Sequence, residues 1–599
     1  MSTPTPAKDA GALTTFAIQA NGALIPSTFR VVSVDTWLGV NKLPRARLVL
    51  FDGDASTGTF PISATSTFLP GARVTISAGY DGDNTRIFEG VVCRQGLDID
   101  AASGSKLVVE LSDEALKMTL ERKSGFFEKV KDSALIQTLL SRNGLSGSVA
   151  ATTGVHDEIV QYYATDWDLM VTRAQLNGLV VMADGGKVTV AEPDTGQAPV
   201  LAVAYGTTLL DLQAELDATT QFDASSIKGY TWDAGAQKLI ESGPRAVSVK
   251  EQGNVSSAEL AKVFGAKKVV VQTGAELTST DLQDWASAEL LLSKLSKIRG
   301  TARFQGSALA KVGRTLELGG LGPRFNGTAF ISGVQHHIED GRWLTTVDFG
   351  LSSRWFTSEA PDIAAPGASG QLPPVKGLQT GVVKQVAKDP GGELRVLVGL
   401  PLFQDPSQGV WARLGMFYAS KGVGALFYPE VGDEVVVGFM NEDPRDPIIL
   451  GSVYSKQRAP ATAPDEQNTK KAVVTRSKLE LSFDDEKKVI LIKTPGGHTV
   501  KLDDTSGALS LQDSNGNTVS LSKGGIALDS ASDVKISAKR NVAVKAGGNL
   551  TLEATGNVSV SGAQVTNKAS MKFAASGNAQ AEVTSSGVLT VRGTLVKIN

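Results

Sequence analysis

Residues 526–560 read IALDSASDVKISAKRNVAVKAGGNLTLEATGNVSV, and apolar residues two apart recur in them about every eight positions: Ile526/Leu528, Val534/Ile536, Val542/Val544, Leu550/Leu552 and Val558/Val560. Upstream the same pairing occurs at Val500/Leu502, Leu509/Leu511 and Val519/Leu521, and Gly, Asn, Ser and Asp fill the gaps. Alternation at period two predicts short strands with one face inward. Small turn formers between them predict a sharp corner after each strand. A fixed short period predicts stacked rungs. Two apolar side chains per rung cannot form a core alone, so each rung must stack on others. One chain could coil by itself as a β-solenoid, or three chains could wind together, each giving one wall of a prism. Eight residues make one strand and one corner, and the inward residues are small to medium aliphatics, which favours three chains. An antiparallel domain of hairpins would vary more in its spacing. With strands about 4.8 Å apart, a dozen rungs make a rod on the order of 60 Å long.

The 599 residues carry a formal charge of −3, which gives no electrostatic case for nucleic acid. Gly is abundant at 63 residues and aromatics are sparse at 6%, as suits a β protein with many turns. The single cysteine, Cys93, excludes an intrachain disulfide and reads as a buried strand residue. No run is apolar and long enough to span a bilayer as a helix. The polar N-terminus lacks a signal-peptide core, so synthesis in the cytoplasm without a signal peptide is expected.

In chain order, residues 1–12 read as a disordered leader and 13–125 as a first small β-barrel. Residues 126–300 form a mixed α/β region. In it, Ser133 to Ser141 is helical, a second helix starts at the Thr165 cap, and a third opens at Thr280-Asp281-Leu282-Gln283 and stops at Gly300. Residues 301–360 supply strands of a second barrel. The Pro-, Ala- and Gly-rich stretch 361–375 is a linker. Residues 376–455 fit an OB-fold barrel, 456–477 are a connector, and 478–599 are the β-helix. The fold class expected is mainly β: two small barrels with inserted α/β segments, an OB-fold barrel and a C-terminal trimeric intertwined β-helix.

The segment Pro429-Glu430-Val431-Gly432-Asp433-Glu434, followed by Asp443-Pro444-Arg445-Asp446-Pro447 and Gly451-Ser452-Val453-Tyr454, closely resembles the OB-fold signature of the VgrG spike family of contractile injection systems. Pro70-Gly71-Ala72-Arg73-Val74 with Ile87-Phe88-Glu89-Gly90-Val91-Val92, and Gln161-Tyr162-Tyr163-Ala164-Thr165-Asp166-Trp167-Asp168, agree with it. The resemblance implies a structural homotrimer that links an inner tube and baseplate proteins to a membrane-puncturing tip. The particle would be extracellular and phage-tail-like, with a type VI secretion spike as the alternative. The rod end, Leu595, Val596, Lys597, Ile598 and Asn599, would seat a PAAR-repeat tip protein. Effector cargo and transient contact with a target membrane are further implied partners. The spike would be released in its particle or delivered to a target cell.

Other chemistry reads weakly. His336-His337 lies in a strand, so the rings point to opposite faces and do not suit one metal site. His498, after Gly496-Gly497, reads as an exposed turn histidine, with an axial metal ring from three copies as the sharper reading. Asp484-Asp485 and Asp503-Asp504 read as solvated turn residues. Gly319-Gly320-Leu321-Gly322-Pro323 has no following Gly-Lys-Ser/Thr and reads as a turn. A sugar-degrading solenoid would need aromatics on the rod, and from Val500 onward there is just Phe573. No enzyme, cofactor or metal is expected.

Overall fold

The computed structural model describes residues 3–6, 12–102, 104–405 and 407–598. The chain divides into two compact units, Met1–Val453 and Tyr454–Asn599.

The first unit is built on one long sheet. Its strands run in the order Leu209–Leu216, Ile298–Gln305, Arg342–Phe349, Gly327–Glu339, Val31–Gly39, Arg45–Phe51, Gly104–Ser112, Asp83–Asp100, Arg73–Tyr80, Thr14–Ala20 and Ala23–Leu24. The two expected barrels are thus two lobes of one sheet, joined where Gly327–Glu339 pairs antiparallel with Val31–Gly39. One core gathers Leu48, Leu50, Phe68, Ile76, Phe88 and Leu107, and is completed by Ile338 and Trp343 from the far end of the sequence. The other gathers Phe304, Leu316, Ile331, Val347 and Phe349. Leu201–Ala204 and Leu209–Leu216, inside the stretch read as mixed α/β, are strands of this second lobe.

Cys93 is exposed rather than buried. Strand alternation turns Val92 inward and Cys93 outward. His336 is buried, with Nδ1 against Thr345 Oγ1 (2.9 Å), and desolvation holds its imidazole down at about 3. His337 turns the other way, to Asp35 (2.6 Å).

Helices α1 (Asp132–Arg142) and α2 (Asp166–Leu176) pack with Leu135, Leu139, Trp167 and Met170 in one core. The α2 cap is Thr165, whose hydroxyl accepts from the Asp168 N–H. Helix α3 spans Ser257–Phe264 and α4 spans Ser279–Leu295. The α4 capping box is set two residues earlier than the sequence suggested: Thr278 is the cap and Asp281 closes the box onto its N–H (3.2 Å). Gly300 is not the helix stop. It lies in strand Ile298–Gln305, where a Cβ would collide with the Gln213 carbonyl of the neighbouring strand.

The Pro-rich stretch 361–375 is held rather than loose. Arg122 donates to the carbonyls of Ile363 (3.1 Å) and Asp362. Ala368 is buried, and Val375 N–H donates to Glu442 O (2.8 Å). Pro and Gly content signals an absence of regular structure, not an absence of contacts. Beyond it, Gln379–Gln385, Val396–Gly399, Val410–Leu414, Pro447–Val453 and Glu434–Phe439 close a five-stranded barrel around Val383, Val398, Ala412, Val437 and Ile449.

Of the leader, residues 1, 2 and 7–11 lie outside the described residues. Within the rest, Pro6 is buried and Pro4 O accepts the Ala202 N–H (2.8 Å), so this part is docked rather than disordered.

The second unit contains a seven-stranded antiparallel meander: Lys470–Val474, Glu480–Asp484, Val489–Lys493, Thr499–Asp503, Ala508–Gln512, Thr518–Ser522 and Gly525–Asp529. These strands are joined as hairpins, the arrangement that the sequence reading disfavoured. The physical reason lies in the loops. Asp513 accepts the N–H groups of Asn515 and Asn517 (both 2.9 Å), and Gly516 takes a φ of 89°, so this loop turns the chain straight back. The regular octad beat starts only where the meander ends.

Candidate functional site

The meander's register lines its apolar residues into two columns on one face. One column runs Phe483, Ile490, Leu502, Leu509, Leu521, Ile526, each directly opposite the next. The other runs Val473, Leu481, Ile492, Val500, Leu511, Val519, Leu528. The opposite face carries Ser482, Leu491, Lys501, Ser510, Ser520 and Ala527 between the same strands. The span expected for the β-helix, 478–599, takes in Leu481/Phe483 and Ile490/Ile492, whose alternation carries the same signal as the pairs named from Val500 onward. The columns depend on cross-strand register, which no local pattern encodes.

This apolar face is open in the single chain. Leu502, Leu511 and Leu521 are 39%, 41% and 40% exposed. Ile526 and Leu528 close the columns in Gly525–Asp529. Val534, Ile536, Val542, Val544, Leu550, Leu552, Val558 and Val560 follow outside any strand of this chain, and all ten octad residues are 58–74% exposed. None of them is a core residue of one chain alone. Of the residues expected to seat a tip protein, Leu595, Val596 and Ile598 are exposed, as is Lys597, while Asn599 lies outside the described residues. An exposed apolar surface of this extent marks an association site.

The turns beside it are polar and well satisfied. Hydrogen bonds from Lys501 and the Ser506 N–H hold the Asp503 carboxyl at about 2, and those from Asn517 and Asn515 do the same for Asp513. Asp484 Oδ1 accepts the Lys487 N–H (2.9 Å). His498 is exposed in its turn.

In the OB barrel the signature residues build two loops. Gly432, at φ 89°, donates to Val383 O (2.7 Å), and Asp433 Oδ2 accepts the Glu430 N–H (2.8 Å) behind buried Pro429. Glu434 then starts the strand that pairs with Val453 and Val382. Asp443 accepts from the Arg445 N–H (2.9 Å) and guanidinium (2.7 Å), which holds its carboxyl below the usual range. Pro444 follows in that loop, Pro447 is buried opposite Phe439, and Gly451 pairs with Val436 beside a bulge. Tyr454 is 76% exposed at the barrel's end. Gly432, Asp433 and Asp443 are thus tied to backbone or to a neighbouring side chain.

A polar pair holds the α1–α2 helices. Asp132, at the start of α1, accepts from Arg173 Nη2 (2.9 Å) and Asn177 Nδ2 (2.8 Å) at the end of α2. Reciprocally, Asp166 at the start of α2 accepts from Arg142 and from Asn143 Nδ2 (2.7 Å) at the end of α1. Each helix N-terminus thus receives an anion and each C-terminus a cation, in the favourable sense of the helix dipole. Burial pushes the Asp132 carboxyl up, but bonds from His156, Arg173 and Asn177 outweigh it and hold the group at about 2. The cluster is consumed by its own contacts.

Comparison with known proteins places these features. Residues 10–340 match the Alg8 N-terminal domain, 379–454 the type VI secretion system/phage-baseplate injector OB domain, and 488–599 the phage baseplate V C-terminal trimerisation domain. The chain is 29% identical to the type VI secretion system spike protein VgrG1b of Pseudomonas aeruginosa over 27% of its own length and 23% of that protein's. It is 38% identical to the spike protein VgrG3 of Vibrio cholerae over 13% of its own length and 8% of that protein's. The matches therefore span less than a quarter of these relatives. Among solved structures, a component of the E. coli type VI secretion system is 12% identical, with a TM-score of 0.37 over 73% of this chain and 99% of that one.

Proposed function

Because the chain belongs to the Alg8 N-terminal domain family and is a VgrG-like spike protein, we propose that it works as a homotrimer whose C-terminal units wind into one rod. The observation that carries this reading is the pair of in-register apolar columns, continued by octad pairs that one chain leaves exposed. Three copies turning these faces together bury them, and the octad segments then find strand partners on neighbouring copies. The trimerisation domain matched over residues 488–599 supports the same number of chains.

In this reading the first unit joins the inner tube and baseplate, with 13–125 and 301–360 contributing hub barrels, 126–300 the α/β segments, 361–375 their connection, and 376–455 the OB module. Residues 456–477 lead to the spike, 478–599, whose end at Leu595 to Asn599 seats a PAAR-repeat tip. The protein acts mechanically and not as an enzyme: a contracting sheath drives the rod through a target membrane, together with effector cargo. The particle is an extracellular, phage-tail-like one. The names of the curated relatives favour the alternative, a type VI secretion machine.

The test is the solution mass of the full chain beside that of a chain ending at Lys456. A rod-dependent trimer supports the proposal. A folded full-length monomer overturns it. Sheath-bearing particles that carry this chain in culture supernatant separate the extracellular reading from the type VI one.

A further inference from the structure

Among the described residues, the strand Leu201–Ala204 is an edge strand: it pairs with Thr315–Gly319 on one side only. Its buried side chains, Leu201 and Val203, already belong to the second lobe's core. The following Tyr205 N–H bonds Gly319 O, so alternation turns the N–H groups of Ala202 and Ala204 to the outer edge. Both are occupied. Ala204 N–H donates to Thr208 Oγ1 (2.8 Å), and the Ala204 carbonyl accepts the Thr208 N–H (3.0 Å). Ala202 N–H donates to Pro4 O (2.8 Å), nearly two hundred positions away in sequence.

The occupant has a suitable chemistry. Residues 3–6 read Thr3-Pro4-Thr5-Pro6. Neither proline has an N–H, so the segment can accept from the edge but cannot pass a full ladder on to another strand. Buried Pro6 gives it an apolar anchor. An uncovered sheet edge is a template for strands of other copies, and proline on the edge is one way of closing it.

We propose that residues 3–6 are an edge cap. They cover the outer edge of Leu201–Ala204 and keep it from adding a strand of a second copy of this chain. Among the described residues the cap rests on one backbone hydrogen bond and one buried ring, so it is removable without touching the lobe's core.

The experiment compares the full chain with a variant lacking residues 1–6 and with P6D, which keeps the segment but places a charge where the ring is buried. Amide hydrogen exchange is read at Ala202 and at Val203, and solution mass is measured over a range of concentrations. Loss of one such bond predicts roughly tenfold faster exchange at Ala202 with Val203 unchanged. It also predicts species heavier than the parent's that grow with concentration, in both variants. Unchanged exchange at Ala202 in both overturns the cap. So does faster exchange without heavier species, or loss of protection at Ala202 and Val203 together in P6D, which would make the segment part of the lobe's core.

Discussion

Substitution of Leu511 and of its neighbour Ser510 by aspartate tests the inner face of the proposed trimeric rod with two changes one residue apart. Both lie in strand Ala508–Gln512, Leu511 facing Val500 and Val519 in an apolar column and Ser510 facing Lys501 and Ser520 on the other side. Leu511 is 41% exposed in the single chain. Complete burial of a leucine is worth about 1.5–3 kcal/mol, so burying this remainder stabilises by about 1 kcal/mol per copy, or about 3 kcal/mol in a trimer. L511A therefore weakens association by a factor of roughly one hundred. L511D does more: it sets three carboxylates in one layer of the core, and each unpaired buried charge costs several kcal/mol. Sedimentation should show a trimer for the parent and for S510D, a concentration-dependent mixture for L511A, and monomer for L511D at micromolar concentration. If L511D sediments as the parent does, or S510D breaks the trimer, the wrong face has been turned inward and the reasoning fails.

Three further outcomes are expected. The Asp132 carboxyl, held at about 2 against an ordinary 3.8, contributes about 2 kcal/mol to hub stability. That contribution is complete above about pH 4 and is lost as pH falls toward 2. D132N should flatten this acid limb in urea unfolding followed by tryptophan fluorescence, and parallel curves for parent and variant would sink the assignment. Removing the Arg122 guanidinium (R122A) frees the carbonyls of Tyr163, Asp362 and Ile363. Protease cleavage between residues 361 and 375 should then rise several-fold, and an unchanged digestion rate would show that the stretch is held from its other end. At Gly432, whose φ of 89° disfavours any side chain, alanine should cost about 1 kcal/mol or more. Calorimetry of the chain ending at Lys456 measures it, and an unshifted transition refutes the strain.

What the sequence disclosed follows from the range of each interaction. The OB loops were readable because their partners are neighbours: Asp443 with Arg445, and Glu430 with Asp433. Helices α1 and α2 were readable for the same reason, through the Thr165 cap and the apolar spacing. The opposed faces of His336 and His337 followed from strand alternation alone. Cys93 was misplaced because alternation fixes only a relative phase, and Val92 holds the inward position. The union of the two lobes, the docking of Pro4 on Ala202 and the tether from Arg122 to Ile363 join residues far apart, and nothing local announces them. The hairpins are hard to read from period alone, because the apolar pairs before Ile526 share the alternation of the octads after it and differ only in the unequal loops between them. The reciprocal Asp132 and Asp166 pairs escaped notice altogether; an acid at each helix start and an arginine near each helix end were the available signal.

The pairing of Val31–Gly39 with Gly327–Glu339 also sets a timetable for biosynthesis. The His336 N–H and the Thr36 hydroxyl meet across 300 positions. At about 5–20 residues per second, a ribosome needs roughly 15–60 s to bridge that separation. Throughout the interval the first lobe lacks Ile338 and Trp343 and keeps one strand edge unpaired. High contact order makes this the slow closure of the nascent chain, whereas the meander pairs only with its immediate neighbours and can zip as it emerges. Chaperone demand should therefore peak before residue 339 is translated, and a translational pause placed after it would do the least harm.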